Sequence, residues 1–250
     1  MNNEKPGQTR CTASPQRGFT LVELMVAITI GLFMLLAISS TVFTASKSFA
    51  NEGSLRDFQD GERLAFTSLG NAIQIAGYYP ATSFTSATAA FPASTNTNFS
   101  PSTFVAGQVI TGSGNGSGAD SIAVQFMQDP TSTASQNATM DCTGSTLTSG
   151  SPTPVVNMFT VTNNQLTCTS SLSSTVQVLV SNVQSMTILY GVDVNSTGSV
   201  SKYMNGNSVT SWGAVRTAMI TLVLTNPLAS TAGQPATFTV TRVISVLGTI

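Results

Sequence analysis

The chain has 250 residues, of which 41% are hydrophobic and 8% are charged, and its formal net charge is -1. The charged fraction lies well below the roughly 25% that is usual in soluble domains. The net charge is close to zero, so the overall charge does not indicate a nucleic-acid-binding protein. The sequence contains no His. The commonest general base and the commonest metal ligand are therefore missing, which argues against an enzyme.

The first predicted element is an apolar helix that follows a short polar segment. Residues 19–43 form an almost unbroken apolar run of 25 residues, long enough at about 1.5 Å per residue to cross a hydrocarbon core of about 30 Å. Basic residues precede the run, so the positive-inside rule places residues 1–18 in the cytoplasm. A signal peptide or a plain signal anchor is an alternative, but neither explains Glu23, a carboxylate that costs on the order of 2–3 kcal/mol within a membrane helix.

The start of this helix resembles the type IV prepilin cleavage signature, and the matching residues are Arg17-Gly18-Phe19-Thr20-Leu21-Val22-Glu23. In that family a membrane-embedded peptidase cuts after the Gly on the cytoplasmic side and methylates the new N-terminal residue. The resemblance therefore implies a removed leader of residues 1–18, an N-methylated Phe19 and a Glu at the fifth mature position. It also implies that Cys11 is lost with the leader.

Glu23 and the new N-terminus form the predicted assembly pair. Cleavage exposes an ammonium group on Phe19, and Glu23 offers a carboxylate one helical turn further on. Each charge needs a partner in lipid. We therefore expect Glu23 to face the N-terminal ammonium of a neighbouring subunit and to set the register of assembly.

The apolar helix is expected to continue into an amphipathic half, so that one helix spans roughly residues 19–76. Residues 19–46 are predicted to form the transmembrane and filament-core segment, and residues 47–79 the amphipathic half. The helix is expected to end before Gly77 and Pro80, which are stop signals. Apolar residues recur at steps of three and four residues: Leu55, Phe58, Ala65, Phe66, Leu69, Ala72, Ile73 and Ala76.

Strand-like runs follow, which predicts an α+β fold with a long helix packed on an antiparallel β-sheet domain at residues 80–250. Residues 81–103 are expected to be an irregular connection and residues 112–118 a flexible turn. Three carboxylates are expected to be solvated in loops: Asp120, Asp129 and Asp141. The predicted strands are Phe104–Thr111, Ser121–Met127, Val155–Val161, Thr175–Val180, Val183–Tyr190, Ala214–Leu224 and Thr237–Leu247.

Two cysteines remain after the predicted cut, Cys142 and Cys168. In an oxidising compartment they are expected to form a disulfide. It would close a loop of about 25 residues and stabilise the domain by about 3 kcal/mol.

The segment from Asp193 to Gly198 partly resembles a calcium loop, with Asp193 and Asn195 as its candidate ligands. Its fifth position is Thr197, and its twelfth position is Met204, where a bidentate carboxylate would be needed. The alternative is a hairpin turn with Gly198 at positive φ. No other metal site and no cofactor are predicted.

Features downstream are similar to large minor pilins of the PilW type. The first feature is a pair of segments at the end of the predicted helix, residues 61–66 and 75–78. The second is the run Leu189-Tyr190-Gly191-Val192-Asp193, which is followed by Tyr203. The third is Trp212, which is followed by Val215-Arg216.

The PilW resemblance implies a minor pilin that takes part in pilus assembly, by priming or in a tip complex, with roles in twitching motility, adhesion or DNA uptake. The implied partners are the prepilin peptidase, other major and minor pilins and the inner membrane; no directly bound nucleic acid is predicted. The implied location is the inner membrane, then the pilus at the cell surface, with the β domain periplasmic or extracellular. The alternatives are a type II secretion pseudopilin and a membrane-anchored periplasmic binding or adhesin module.

Overall fold

The computed structural model describes residues 18–81, 83–95, 99, 103–130 and 140–247. Contacts divide the chain into two units, residues 1–50 and residues 51–250. The predicted leader lies outside the described residues except for Gly18, and Cys11 lies outside them as well.

A single long helix, α1, runs from Leu21 to Ile75. It confirms the predicted helix to within two residues at either end, and the glycines at 53, 61 and 70 do not interrupt it. From residue 21 to residue 50 every side chain of α1 is exposed. Buried side chains begin in the second unit, at Ala65 and Phe66. In the first unit the helix therefore carries an apolar surface that is exposed among the described residues.

The second unit contains a five-stranded antiparallel sheet with the order β3-β4-β5-β6-β7. Its second strand, β4, is buried along its whole length, because both of its faces are covered. The strands are β3 Ile110–Ser113, β4 Ser121–Gln128, β5 Thr153–Thr162, β6 Gln165–Ser170 and β7 Ser173–Ser181.

A four-stranded antiparallel sheet with the order β11-β10-β8-β9 completes the second unit. β10 shows why the sheet forms, since Ala218, Ile220 and Leu222 are buried and alternate with half-exposed residues, the period of a strand with one buried face. The strands are β8 Val183–Val192, β9 Lys202–Asn205, β10 Val215–Thr225 and β11 Thr237–Ser245. Two 3₁₀ turns, Gly206–Ser208 and Trp212–Ala214, connect β9 to β10.

The main core lies between the second-unit part of α1 and the inner faces of both sheets. Leu69 and Ile73 of α1 are fully buried there with Ile122, Ile188 and Ile220 of the sheets. The predicted apolar stripe is confirmed from Ala65 to Ala76. At its N-terminal end it was wrong, because Leu55 is 37% exposed.

The connection between α1 and β3 differs from the irregular segment that the sequence predicts. It contains a short helix α2, Ala87–Ala90, and a two-stranded ribbon of β1, Ser94–Thr95, and β2, Thr103–Phe104. The predicted strand at 104–111 is divided, because a turn at 106–107 separates β2 from β3. The reason is a second apolar cluster, in which Phe99 and Phe104 cover Ala123 and Val156 on the outer face of the five-stranded sheet.

The remaining sequence-based interpretations of the second unit need three corrections. The first two residues of the predicted turn at 112–118, Gly112 and Ser113, belong to β3. β6, which contains Cys168, was not predicted as a strand. The prediction that Asp120, Asp129 and Asp141 are solvated was wrong, because their exposed fractions are 2%, 6% and 5%. Each of these carboxylates belongs to the folded interior rather than to a solvated loop.

Candidate functional site

The predicted processing junction lies directly before α1. Gly18 and Phe19 are exposed, and Thr20 is the residue that starts the helix. The Thr20 hydroxyl accepts a hydrogen bond from the backbone N–H of Glu23 at 3.3 Å. This is a helix N-cap, and Glu23 occupies the third helical position of a Thr-x-x-Glu capping pattern. The sequence interpretation identified Glu23 and missed Thr20, although the Thr-x-x-Glu spacing signals the cap.

In the apolar part of α1, Ser and Thr hydroxyl groups donate hydrogen bonds to backbone carbonyls of the same helix. Thr29 donates to the carbonyl of Val26 at 2.9 Å, and Ser39 donates to that of Leu35 at 2.8 Å. Ser40, Thr41 and Thr44 bond back to preceding carbonyls in the same way. By length and composition α1 is a helix that can cross a membrane, and its most apolar 18-residue stretch has no buried residue. Such internal bonding is what a lipid environment requires of hydroxyl groups.

In the second unit, side chains of β11 fasten α1 to the edge of the four-stranded sheet. Arg242 donates a hydrogen bond to the Glu62 carboxylate at 3.2 Å. The same guanidinium lies 5.1 Å from the centre of the Phe66 ring, within reach of a cation–π contact. One turn earlier on α1, the rings of Phe58 and Phe238 pack with centroids 5.3 Å apart. The first and last elements of the chain are thus joined by charge and by aromatic contact.

The two cysteines of the second unit form the predicted disulfide. Cys142 and Cys168 are 26 residues apart in the sequence, and their Cα atoms are separated by 6.3 Å. Cys168 is fully buried in β6, whereas Cys142 belongs to the turn before β5. Its backbone N–H donates to the Asn157 side chain at 3.3 Å. The disulfide and this hydrogen bond together hold the turn at 141–145 against the five-stranded sheet.

The Asp193 loop, the candidate calcium site, is closed by the protein's own donors. The buried Asp193 carboxylate accepts hydrogen bonds from the backbone N–H groups of Thr197 at 2.9 Å and Gly198 at 2.7 Å. Arg216 lies 3.8 Å away. The pKa of the Asp193 carboxyl lies below its ordinary value. The largest cause is the hydrogen bond from the Thr197 backbone N–H, and the Gly198 N–H, the Thr197 hydroxyl and Arg216 lower it further.

Gly198 has the expected positive φ of 81°, which favours the hairpin interpretation of this loop. Asn195, the second candidate ligand, is exposed. Calcium at this loop stays a prediction.

Asp120 and Tyr190 join the two sheets at the buried end of the glycine-rich segment. One oxygen of Asp120 accepts from the backbone N–H of Ile188 at 2.8 Å, and the other accepts from that of Gly116 at 3.2 Å. The Tyr190 hydroxyl donates to the carbonyl of Ser121 at 3.3 Å. Burial, and after it the nearby Asp120 charge, raises the pKa of Tyr190. Its hydroxyl therefore stays protonated as a donor, and both residues serve the fold.

Within the part of the chain that the structure describes, no three His, Cys, Asp or Glu side chains come together as a metal site would require. The buried carboxylates Asp120 and Asp193 accept bonds from the backbone.

Two family models match separate parts of the chain. Residues 13–39 match the prokaryotic N-terminal methylation motif, and residues 145–244 match the type IV pilus-assembly protein W. No curated protein sequence matches the chain. Among solved structures, a type IV-like pilin from Thermus thermophilus aligns over 77% of this chain and 96% of its own, with a TM-score of 0.41 and 9% identity.

Over these two segments the chain is similar to the class of type IV minor pilin-like proteins. The methylation motif contains the capped start of α1 and most of its apolar part. The second match runs from just before β5 into β11, and within the class it assigns this segment to the PilW type. The resemblance expected from the sequence is confirmed.

Proposed function

We propose that this chain is a minor pilin that takes part in the assembly of a type IV pilus, by priming the filament or as part of its tip complex. The observation that carries the proposal is the register of Gly18, Phe19 and Glu23 at the start of a membrane-length helix, inside the matched methylation motif. In this order, Gly18 provides the cleavage site, Phe19 becomes the new N-terminus, and Glu23 provides an acidic group near it. A membrane-anchored precursor that becomes a filament subunit needs all three.

Processing supplies the charge that Glu23 needs. Cutting after Gly18 creates an ammonium group on Phe19, and methylation keeps this group positive. In lipid, an unpaired carboxylate costs on the order of 2–3 kcal/mol, so pairing Glu23 with the ammonium group of a neighbouring subunit favours a fixed axial register. The 81% exposed Phe19 is accessible both to the peptidase and to a neighbour.

The second unit supplies the contacts that distinguish this subunit from other pilins. We infer that α1 is anchored in the inner membrane before assembly, and that residues 80–250 lie in the periplasm and afterwards at the cell surface. The proposed partners are the prepilin peptidase and the other major and minor pilins. Effects on twitching motility, adhesion or DNA uptake would follow from the presence or absence of pili.

Two other functions make different predictions. A type II secretion pseudopilin shares the processing and the helix, so loss of secretion with intact pili would identify it. A membrane-anchored binding or adhesin module needs no cut after Gly18. The match at residues 145–244 to a pilus-assembly family favours the pilus over both.

Mass spectrometry of the chain purified from its own cells tests the processing. The expected N-terminus is methylated Phe19, and Gly18→Val is expected to leave the leader attached. Gly31→Val is the matched control, because Gly31 lies within α1 and has open space around it. An intact Met1, or a cut near residue 40, in the unchanged protein would refute the proposed processing.

Deleting the gene and substituting Glu23 test the assembly role. Deletion is expected to reduce surface pili and twitching motility. Glu23→Gln is expected to be cleaved and methylated normally yet absent from sheared pili. Glu52→Gln, which removes an exposed carboxylate 3.9 Å from Arg56 on the same helix, is expected to assemble like the parent. Unchanged piliation after deletion would count against a priming role.

A further inference from the structure

A buried carboxylate oxygen near the disulfide has no partner in the fold. Oδ1 of Asp141 accepts hydrogen bonds from the backbone N–H groups of Thr143 at 2.9 Å and Ser145 at 2.7 Å, and from the Thr143 hydroxyl at 2.7 Å. Oδ2 of the same carboxylate is buried, and among the described residues nothing hydrogen-bonds to it. A buried polar atom in this state calls for a ligand that completes it, since leaving it unpaired costs about 1–3 kcal/mol or more.

Asp141 also lines a cavity of about 190 Å³ that lies against α1; we refer to it as the Asp141 cavity. Its other polar lining residues are neutral: Ser68 and Asn71 of α1 and Asn157 of β5. Ile75 and Phe159 contribute apolar walls. One carboxylate in an otherwise neutral and partly apolar slot is suited to a long side chain with a methylene stem and a cationic end.

No ion pair of the described residues involves the Asp141 carboxylate. In the described part of the chain, each ion pair involves a carboxylate other than Asp141, and the bases concerned are Arg56, Arg216 and Arg242. The segments outside the described residues contain basic residues only before residue 18. These residues, Lys5, Arg10 and Arg17, belong to the leader that processing is proposed to remove. A compensating cation would therefore come from outside the chain, either as a free ion or as the side chain of another protein.

An inorganic cation fits the Asp141 cavity less well. Calcium requires six to eight oxygen ligands, with several carboxylates for useful affinity. Asp141 is the one acidic residue among the described residues that line the cavity, and no cluster of three acidic, His or Cys side chains occurs in the described ranges.

We propose that the Asp141 cavity receives the cationic end of a Lys or Arg side chain from a neighbouring pilin subunit. The identity of the neighbour as a pilin rests on the proposed function, whereas the preference of the cavity for a cation does not. The contact would lie next to α1, on the second unit, and would add a specific charge pair to the packing of the helices.

Thiol reactivity in native membranes tests the preference for a cation. A Ser68→Cys variant is reacted with the cationic reagent aminoethyl methanethiosulfonate and with its neutral hydroxyethyl analogue. The cationic reagent is expected to react severalfold faster than the neutral one, relative to their rates with a free thiol. Adding Asp141→Asn, which keeps the Oδ1 acceptor and hence the turn, is expected to remove this preference. Equal relative rates in the parent with Ser68→Cys, or a preference that survives Asp141→Asn, would overturn the proposal.

Incorporation into pili tests the neighbour. Asp141→Asn removes the charge and Ser68→Leu fills the cavity, and both are expected to lower the amount of the subunit in sheared pili severalfold. Gln74→Leu is the control, since Gln74 is exposed on the same helix and does not line the cavity. Normal incorporation of both cavity variants would refute a neighbour at this site. Failure of the proposed function is recognised separately, by an unprocessed N-terminus or by unchanged pili after deletion.

Discussion

Truncating Leu69 of α1 should separate the packing of the helix from its intrinsic stability. Leu69 is fully buried in the main core, and replacing a buried Leu by Ala costs about 2–5 kcal/mol through lost burial and a residual cavity. Ala is at least as good a helix former as Leu, so propensity contributes nothing to the loss. We expect Leu69→Ala to lower the free energy of unfolding by about 3 kcal/mol, a large part of the roughly 5–15 kcal/mol that holds a typical domain.

Trp212 is the natural reporter for this measurement. It is the sole tryptophan in the sequence, and its ring packs edge-on against the buried Tyr190 with centroids 4.9 Å apart. Loss of that contact should change its fluorescence when the second unit unfolds in urea, with the processed chain held in detergent micelles. Linear extrapolation then gives the free energy of unfolding for each variant.

Leu64→Ala is the matched control for Leu69→Ala. The substitution is the same and the helix is the same, but Leu64 is 51% exposed. Its loss should change the free energy of unfolding by less than about 1 kcal/mol. If both variants lowered the free energy of unfolding equally, the intrinsic stability of the helix, rather than burial against the sheets, would be the cause of the loss. A loss below about 1 kcal/mol for Leu69→Ala would refute the assigned core.

Three further predictions concern the second unit. Replacing Cys142 and Cys168 by Ser should lower the free energy of unfolding by about 3–4 kcal/mol, and dithiothreitol should produce the same loss in the parent but none in the variant. Because its pKa is lowered in the fold, Asp193 stabilises the domain above pH 3.8, the ordinary value of the carboxyl, and this contribution disappears as the pH falls through the folded pKa. Urea unfolding from about pH 5 to about pH 2 should show a weaker pH dependence for Asp193→Asn. A Cβ at Gly112 would clash with the Tyr190 hydroxyl, so Gly112→Ala should destabilise by about 1–3 kcal/mol, and a double-mutant cycle with Tyr190→Phe should show a smaller loss.

The sequence predicts the helix and most strands because their signals are local. α1 combines a long apolar run with a later stripe at helical spacing, and β10 alternates half-exposed with buried residues from Thr217 to Thr225. The candidate processing residues Gly18, Phe19 and Glu23 are recognisable for the same reason, since they are contiguous with the helix start.

The elements that the sequence missed depend on distant partners. β6 is short, and its inward residues Leu166 and Cys168 stand among polar neighbours, so its strand character comes from pairing with β5 and β7. Asp120 is buried because it accepts the N–H of Ile188, a residue 68 positions away. Asp141 becomes a candidate site only when the fold places it beside α1. No pattern in the surrounding sequence indicates these contacts.

The joining of α1 to β11 has a consequence for how the domain is made. Glu62 and Arg242 are 180 residues apart in the sequence, and the ring pair of Phe58 and Phe238 spans the same distance along the chain. Ribosomes therefore finish α1 long before the strand that covers it exists, and the contacts have the high sequence separation that slows folding. The aromatic side of the helix stays open until the last strand arrives. A holding chaperone has that interval in which to act, and a shortened C-terminus would leave the helix permanently without its cover.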